Sequence, residues 1–481
     1  MPSIKKNIAY QSAYQLLIII LPLILAPYIS RVLGAENIGI YSYTLSIASY
    51  FAMFAMLGIG AHGNRTIAAV REDERRLAET FSDLLFFHVF VSLVVIVAYA
   101  VFVIFADREL KLFYIIQSIV VLSALLDVNW LFMGLEQFRL MVIRNMAVKL
   151  VQVICVFAFI RGSDDLWMFI LIMALGTLMN SAVLWLFIGR FVSFVRPTWT
   201  GIKHHVRPLL VLFIPAIAIS VYKILSKIML GAMTDHVQLG FYDNSEKIVL
   251  IPMGFIIAFN MVMIPRMSNL GAKEEKATQD RLTLISMKYV MMLAFAMAFG
   301  IAAIANGFAP LFFGEEFREC GPLIAGMCVM LPFLAFSNLI AAQYLIPHAK
   351  DAIYTTATVG GAVLSVAANL ILVPRYQAMG AVAALVLAEV ARCAVMFVAT
   401  RKALPIWTYV KNGLPFLFMG VLMYALLYPI GQALGESVAA ILSQVGIGAV
   451  FYLVLCVAYL YVTKDVFFMS YVKVMASKAL F

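Results

Sequence analysis

Apolar residues come in long blocks along this chain, and polar residues are confined to short stretches between them. Fourteen blocks can be drawn, at roughly 10–33, 39–64, 81–106, 112–134, 146–161, 167–189, 209–232, 245–270, 282–306, 320–346, 353–373, 380–401, 414–434 and 438–463. Most run to about 20 residues, the length an α-helix needs to cross about 30 Å of hydrocarbon. A β-barrel would show segments of about 10 residues in strict alternation. The pattern therefore predicts an all-α integral membrane protein with 14 transmembrane helices. The block at 146–161 is short for a span and is expected to extend back to Arg144 or Asn145. Pro22, Pro27, Pro215, Pro252, Pro265, Pro332 and Pro415 fall inside blocks and predict kinked helices. The first block is too long for a cleavable signal and leads straight into a second. The longest polar stretches, about 65–80 and 190–208, read as loops, with no soluble domain.

Composition agrees with the pattern. Hydrophobic residues make up 64% of the 481 and charged residues 12%, with a mean hydropathy of +0.99. A soluble domain is about 45–50% apolar and about 25% charged, so lipid must be the solvent for most of this chain. The net charge of +10 would suggest nucleic acid in a soluble protein. Here the basic residues collect on one side of the predicted bundle: loops sharing a side with the N-terminus hold 22 and the opposite loops hold 6. The positive-inside rule then puts both termini in the cytoplasm, and no nucleic-acid partner is expected.

Little in the chain suggests catalysis. There is no phosphate-binding loop, no HExxH and no GxSxG. Five cysteines, Cys155, Cys320, Cys328, Cys393 and Cys456, sit in or beside apolar blocks without CxxC spacing, so they read as small buried apolar residues. His204 and His205 fall in a basic loop and read as solvated; His88, alone in the third block, reads as a packing residue. No enzyme activity, cofactor or metal is expected.

A weak internal repeat is visible. Ser30-Arg31-Val32-Leu33-Gly34 followed by Gly39-Ile40-Tyr41 is echoed by Ser226-Lys227-Ile228-Met229-Leu230-Gly231 followed by Gly240-Phe241-Tyr242. In each, a cation ends one span, a glycine opens the loop and Gly-x-Tyr opens the next span. Two six-helix halves with a substrate path between them would place the repeat so.

Charge inside the membrane is the remaining chemistry. Lys149, Lys223, Lys227, Lys247, Arg266, Lys288 and Arg392 lie in blocks, and each costs about 2.5–3.5 kcal/mol at a helix centre. Lys149, Lys247, Arg266 and Lys288 lie near block ends, within reach of the interface. Lys223 is deeper, and no acidic residue occurs between Arg207 and Thr234 to pair with it locally. Ser220, Lys223, Ser226 and Lys227 fall within about 120° of one face of a regular helix. That stripe faces either a water-filled cavity with an anionic ligand or an acid on another helix; the cavity is the reading adopted. Arg392 has Glu389 one turn away, so an internal ion pair is expected. Glu389 is also the most central carboxylate, which makes the Glu389–Arg392 pair, with Asp127 in the fourth block, the candidates for ion coupling. Excess positive charge points to an anionic substrate.

Several motifs then resemble one family. The run from Pro27 through Ser30-Arg31-Val32-Leu33-Gly34-Ala35-Glu36 to Tyr41-Ser42 is similar to the opening of bacterial polysaccharide repeat-unit flippases, as is Gly63-Asn64-Arg65-Thr66-Ile67-Ala68. So are Asp127-Val128-Asn129-Trp130 with Gly134-Leu135-Glu136-Gln137-Phe138, and Tyr242-Asp243-Asn244-Ser245-Glu246-Lys247-Ile248 with Ile264-Pro265-Arg266-Met267-Ser268. Asn369-Leu370-Ile371-Leu372-Val373-Pro374 with Gly380-Ala381 completes the series in the family's order. These flippases form a branch of the multidrug/oligosaccharidyl-lipid/polysaccharide exporter superfamily.

The resemblance implies lobes at 1–206 and 207–401 and an added helix pair with a tail at 402–481, working by alternating access in a bacterial inner membrane. It implies a polyprenyl-pyrophosphate-linked oligosaccharide as substrate, for O-antigen, capsule or exopolysaccharide, and other polysaccharide assembly proteins and the lipid bilayer as partners. On this view Lys223, Lys227, Arg31 and Arg266 attract the pyrophosphate. A peptidoglycan-precursor flippase and a multidrug antiporter are the rival transporters. A membrane scaffold for polysaccharide assembly is the non-transport rival.

Overall fold

The structure, a computed structural model, describes residues 4–273 and 275–470. Side chains before Leu23 lie outside the description, as do those of Pro215, Ala216, Tyr222, Val262, Pro265, Gly271 and Ala272. Pro22, Pro215 and Pro265 among the predicted kinks are therefore outside it, as are Lys5, Lys6, Lys473 and Lys478 of the charge count.

Among the described residues the regular elements are helical. They are α1 (Ile4–Met56), α2 (Ile59–Val70), α3 (Glu74–Phe105), α4 (Lys111–Leu125), α5 (Asn129–Gly134), α6 (Phe138–Phe159), α7 (Leu166–Ile188), α8 (Trp199–Ser220) and α9 (Ser226–Met233). The chain continues through α10 (His236–Leu250), α11 (Met253–Ala272), α12 (Lys276–Phe313), α13 (Cys320–Cys328), α14 (Met330–Ile340), α15 (Asp351–Thr400), α16 (Ile406–Leu434) and α17 (Val438–Val462). Two π-helical turns, Val221–Leu225 and Ala341–Leu345, interrupt the helical runs that contain them.

Twelve helical stretches among the described residues are long and apolar enough to cross a membrane. Two of them, Leu23–Val70 with 48 residues and Asp351–Thr400 with 50, are far too long for one crossing. At about 1.5 Å per residue, each would exceed 70 Å against about 30 Å of hydrocarbon. Each contains a break, at Gly34 of α1 with φ 80° and, near the middle of α15, at Gln377 with φ 51°. Counted as four crossings, they make the set consistent with the fourteen expected. The protein is a multi-pass membrane protein. The short block at 146–161 belongs to α6, which starts at Phe138, earlier than expected.

Contacts divide the chain into two compact units, Met1–Asp243 with Asn369–Gln377, and Asn244–Ala368 with Ala378–Phe481. The first unit thus continues past residue 206 to take in α8, α9 and the start of α10. Two of the sequence motifs meet in its core. A Cβ on Gly63 of α2 would lie 2.7 Å from the ring of the buried Trp130, so the missing side chain lets α5 pack against α2. Below them, Arg71 bridges Glu136 at 2.6 Å and Arg144 donates to Asn129 Oδ1 at 3.0 Å.

In the second unit, Phe416, Met423, Leu427, Tyr452, Cys456 and Leu460 form a buried layer between α16 and α17, against Phe295 and Phe299 of α12. Lys288 of α12 reaches Asp465, just beyond α17, at 2.6 Å, and Tyr289 donates to the same carboxylate at 3.1 Å. The interface reach predicted for Lys288 is thus an ion pair.

Candidate functional site

The two halves of the sequence repeat meet in the first unit. A Cβ on Gly39 would sit 1.7 Å from the His236 carbonyl oxygen, and one on Gly240 would sit 2.1 Å from that of Ala35. Each glycine is four residues past the position that receives its partner. The contact is therefore reciprocal, as in a pseudo-twofold, and any side chain at either position would force the two backbones apart. Continuing the same register places Ser42 opposite Asp243. Ser42 Oγ donates to Asp243 Oδ1 at 2.9 Å, with both residues buried.

Lys227 of α9 completes this seam. Its Nζ lies 2.6 Å from Asp243 Oδ1, and the two side chains retain 18% and 6% of their exposure. Beside it, Asn369 Nδ2 donates to Ser226 Oγ at 3.1 Å. One polar cluster thus ties α1, α9, α10 and the first half of α15 together inside an apolar bundle. Removing one partner of a buried ion pair costs about 3–5 kcal/mol, so the cluster strongly favours the arrangement in which all its members meet.

Lys223 differs from Lys227. It lies in the π-helical turn Val221–Leu225, in the middle of the predicted seventh span, and its side chain is exposed. It has no ion pair among the described residues. A π turn bonds i to i+5 and breaks the regular 100° step, so the four-residue stripe read from the sequence is not a continuous face. For Lys227 the outcome is the second of the two sequence readings: an acid on another helix pairs with it. The acid was missed because Asp243 lies beyond the loop, though it stands in the Tyr242-Asp243-Asn244 motif.

The other candidates separate. Arg31 is exposed on α1, one turn before the break at Gly34, and α1 packs against both the π turn and α9. Arg266 is exposed on α11 in the second unit. Glu389 and Arg392 pair on α15 at 2.8 Å and are buried at 5% and 4%, as expected from their spacing. Asp127 lies at the turn between α4 and α5. Its carboxylate accepts from the Asn129 N–H at 2.8 Å and from Asn129 Nδ2 at 2.9 Å, and its carbonyl accepts from Trp130 Nε1 at 3.1 Å. These bonds make it the keystone of a helix break.

The histidines divide as well. His88 is buried and bonds through Nε2 to the Ala124 carbonyl at 2.8 Å. His205, expected to be solvated, is buried, with Nδ1 3.0 Å from Nε2 of His62. The reason is local: Thr198 caps α8 by accepting from the Gly201 N–H at 3.1 Å, so the polar stretch is helical and turns His205 inward while His204 stays exposed.

The family model for polysaccharide biosynthesis proteins matches residues 4–271, more than half of the chain and the whole seam apart from Asn369. The chain belongs to the polysaccharide biosynthesis protein family. The motifs from Pro27 to Ser268 fall inside the matched stretch. Two curated relatives bear the name "Putative O-antigen transporter". One, from Shigella dysenteriae, is 22% identical over 375 residues, covering 77% of this chain and 93% of its own. The other, from Escherichia coli strain K12, is 23% identical over 423 residues, covering 84% and 98%. Among solved structures, the lipid II flippase MurJ in an inward closed conformation aligns with a TM-score of 0.76 at 14% identity, over 94% of this chain and 99% of that one. An inward-facing multidrug resistance transporter of the MATE family aligns at 0.60, also 14% identical, over 83% and 99%. Both share the fold.

Proposed function

We propose that this protein carries lipid-linked oligosaccharide repeat units, held by a polyprenyl pyrophosphate, from the inner to the outer leaflet of a bacterial inner membrane for surface polysaccharide synthesis. Family membership and the names of the curated relatives support the cargo. Lys223 is the observation that carries the mechanism. A lysine in mid-span facing lipid would cost about 2.5–3.5 kcal/mol on insertion scales, so an exposed one there calls for water and an anion. The pyrophosphate supplies that anion, with Arg31 and Arg266 as further cations on its route.

Lys227 has a different part in this reading. It holds the seam of Gly39, Gly240, Ser42 and Asp243 shut at the outer end of the helices, with both termini cytoplasmic. Opening the seam breaks the Ser42–Asp243 hydrogen bond, exposes the Lys227–Asp243 pair to solvent and releases the headgroup outside. The lobes at 1–206 and 207–401 rock against each other as this happens, and 402–481 is the appended helix pair. Glu389 with Arg392 stays a candidate for coupling; Asp127 is the weaker one.

Cells lacking the protein should accumulate repeat units on their lipid carrier at the inner leaflet and lose surface polysaccharide. Wild-type protein should restore both, and Lys223→Ala, present at wild-type level, should restore neither. Full restoration by Lys223→Ala would refute the site. A second reading, a peptidoglycan-precursor flippase, draws on the fold shared with MurJ. It predicts instead that depletion stops growth and cell-wall synthesis while surface polysaccharide is the secondary loss.

A further inference from the structure

A polar cavity of about 450 Å³ lies wholly within the second unit, away from the seam. The first turns of α12 supply Lys276 and Asp280, the π turn after α14 supplies Gln343 and Tyr344, His348 follows it, and Lys402 comes from the turn between α15 and α16. Its volume falls in the range of small-molecule sites, about 300–1,000 Å³.

Its wall is unusual in one residue. Gln343 is fully buried, and both its carboxamide nitrogen and oxygen lack a hydrogen-bond partner among the described residues. A buried amide left unpaired costs about 1–3 kcal/mol, and such groups in native proteins have a reason to be there. The π turn that carries it is itself the kind of helix defect often found at functional sites. Around Gln343 the wall is ordered. The Tyr344 hydroxyl bonds Lys350 Nζ, whose ammonium lies 4.5 Å from the ring centroid. The His348 ring lies 4.7 Å from that of Tyr344, and its Nδ1 is 2.8 Å from the Tyr344 carbonyl oxygen.

We infer that this cavity binds a phosphate-bearing polyol. Lys276 and Lys402 supply two cations for a phosphate. Asp280 accepts from hydroxyls, and a turn of the buried, unpartnered Gln343 side chain toward the cavity would bring both a donor and an acceptor to the same ligand. A purely anionic ligand would leave Asp280 repelled, and a neutral sugar would leave the two lysines unmatched, so the mixed wall selects a molecule with both features. Glycerol phosphate and hexose phosphate share this chemistry, whether free or as the headgroup of a membrane lipid. The inference is independent of the transported cargo.

Binding to the purified full-length protein tests it with three probes: glycerol 3-phosphate, glucose 1-phosphate, and nanodiscs containing phosphatidylglycerol against phosphatidylcholine alone. Saturable binding to either free probe identifies a soluble ligand, and binding to phosphatidylglycerol alone identifies a lipid headgroup; both support the site. Lys276→Ala with Lys402→Ala should weaken binding at least tenfold. Gln343→Leu separates a binding role from a packing role: it should weaken binding about tenfold while the Tm stays level or rises. No saturable binding to any probe, or binding unchanged in both variants, would overturn the inference.

Discussion

Two ion pairs among the described residues of the membrane-spanning helices, Lys227–Asp243 and Glu389–Arg392, differ in what they connect. Lys227–Asp243 joins α9 to α10 and, through Ser42, to α1. Glu389–Arg392 closes within one turn of α15. A contact within one helix survives any rigid movement of that helix. A contact among three helices survives only while they stay together. Both join one cation to one carboxylate with little exposure, Lys227 keeping the most at 18%, so connectivity decides which can report on a conformational change. In the proposed transport cycle the seam around Asp243 is the contact made and broken, and the pair on α15 is the one that stays.

The largest effect should come from the glycines. Gly39→Leu places a side chain where even a Cβ would lie 1.7 Å from a backbone oxygen. Spin labels at Glu36→Cys and Asp235→Cys should move apart by several ångströms in this variant, and export should fall at least a hundredfold. An unchanged distance would dissolve the idea of a closed seam.

Next come the pairs themselves. Lys227→Met should lower stability by about 3–5 kcal/mol, and Lys227→Met with Asp243→Leu should recover most of it, since replacing both members of a buried pair is often near neutral. Glu389→Gln should cost a similar amount yet leave the Glu36–Asp235 label distance unchanged. If it lengthened that distance as Lys227→Met does, the distinction between the pairs would collapse.

Asp465→Asn should have a smaller effect, about 1–3 kcal/mol, by removing the charged acceptor of Lys288. Burial pushes the Asp465 carboxyl up, but hydrogen bonds from Lys288, the Phe468 N–H and Tyr289 outweigh it and hold the group below its ordinary value of 3.8. Stability from this group is therefore complete above that value and lost as pH falls through the depressed one. Thermal melts of wild type should lose stability there, and those of Asp465→Asn should lose less.

The smallest effect belongs to Arg318, which bridges Glu436 at 2.6 Å on an exposed loop. Hydrogen bonds from Arg318 hold the Glu436 carboxyl below its ordinary 4.5, so the same sign applies. Water screens the pair, and Glu436→Gln should shift the Tm by a degree or less.

Most of the fold is legible in the chain because spanning helices must satisfy their own backbone and show as apolar blocks. The repeat was legible too, as Gly-x-Tyr after a cation and a glycine. What could not be read was pairing across a loop. The helical wheel places Lys223 and Lys227 together, but the π turn between them and Asp243 on the next helix separate their roles. Carrying the repeat register one residue past Tyr41 would have put Ser42 opposite Asp243. Gln343 left no signal, because an isolated glutamine in an apolar block looks like any other polar helix residue.

Headgroup accessibility in liposomes tests the central claim most directly. The purified protein is reconstituted with a polyprenyl-pyrophosphate oligosaccharide labelled on its sugar, and an impermeant quencher is added outside. The account predicts protein-dependent quenching of the inner-leaflet pool, lost in Lys223→Ala and in Gly39→Leu. Quenching in Lys223→Ala equal to wild type would contradict it.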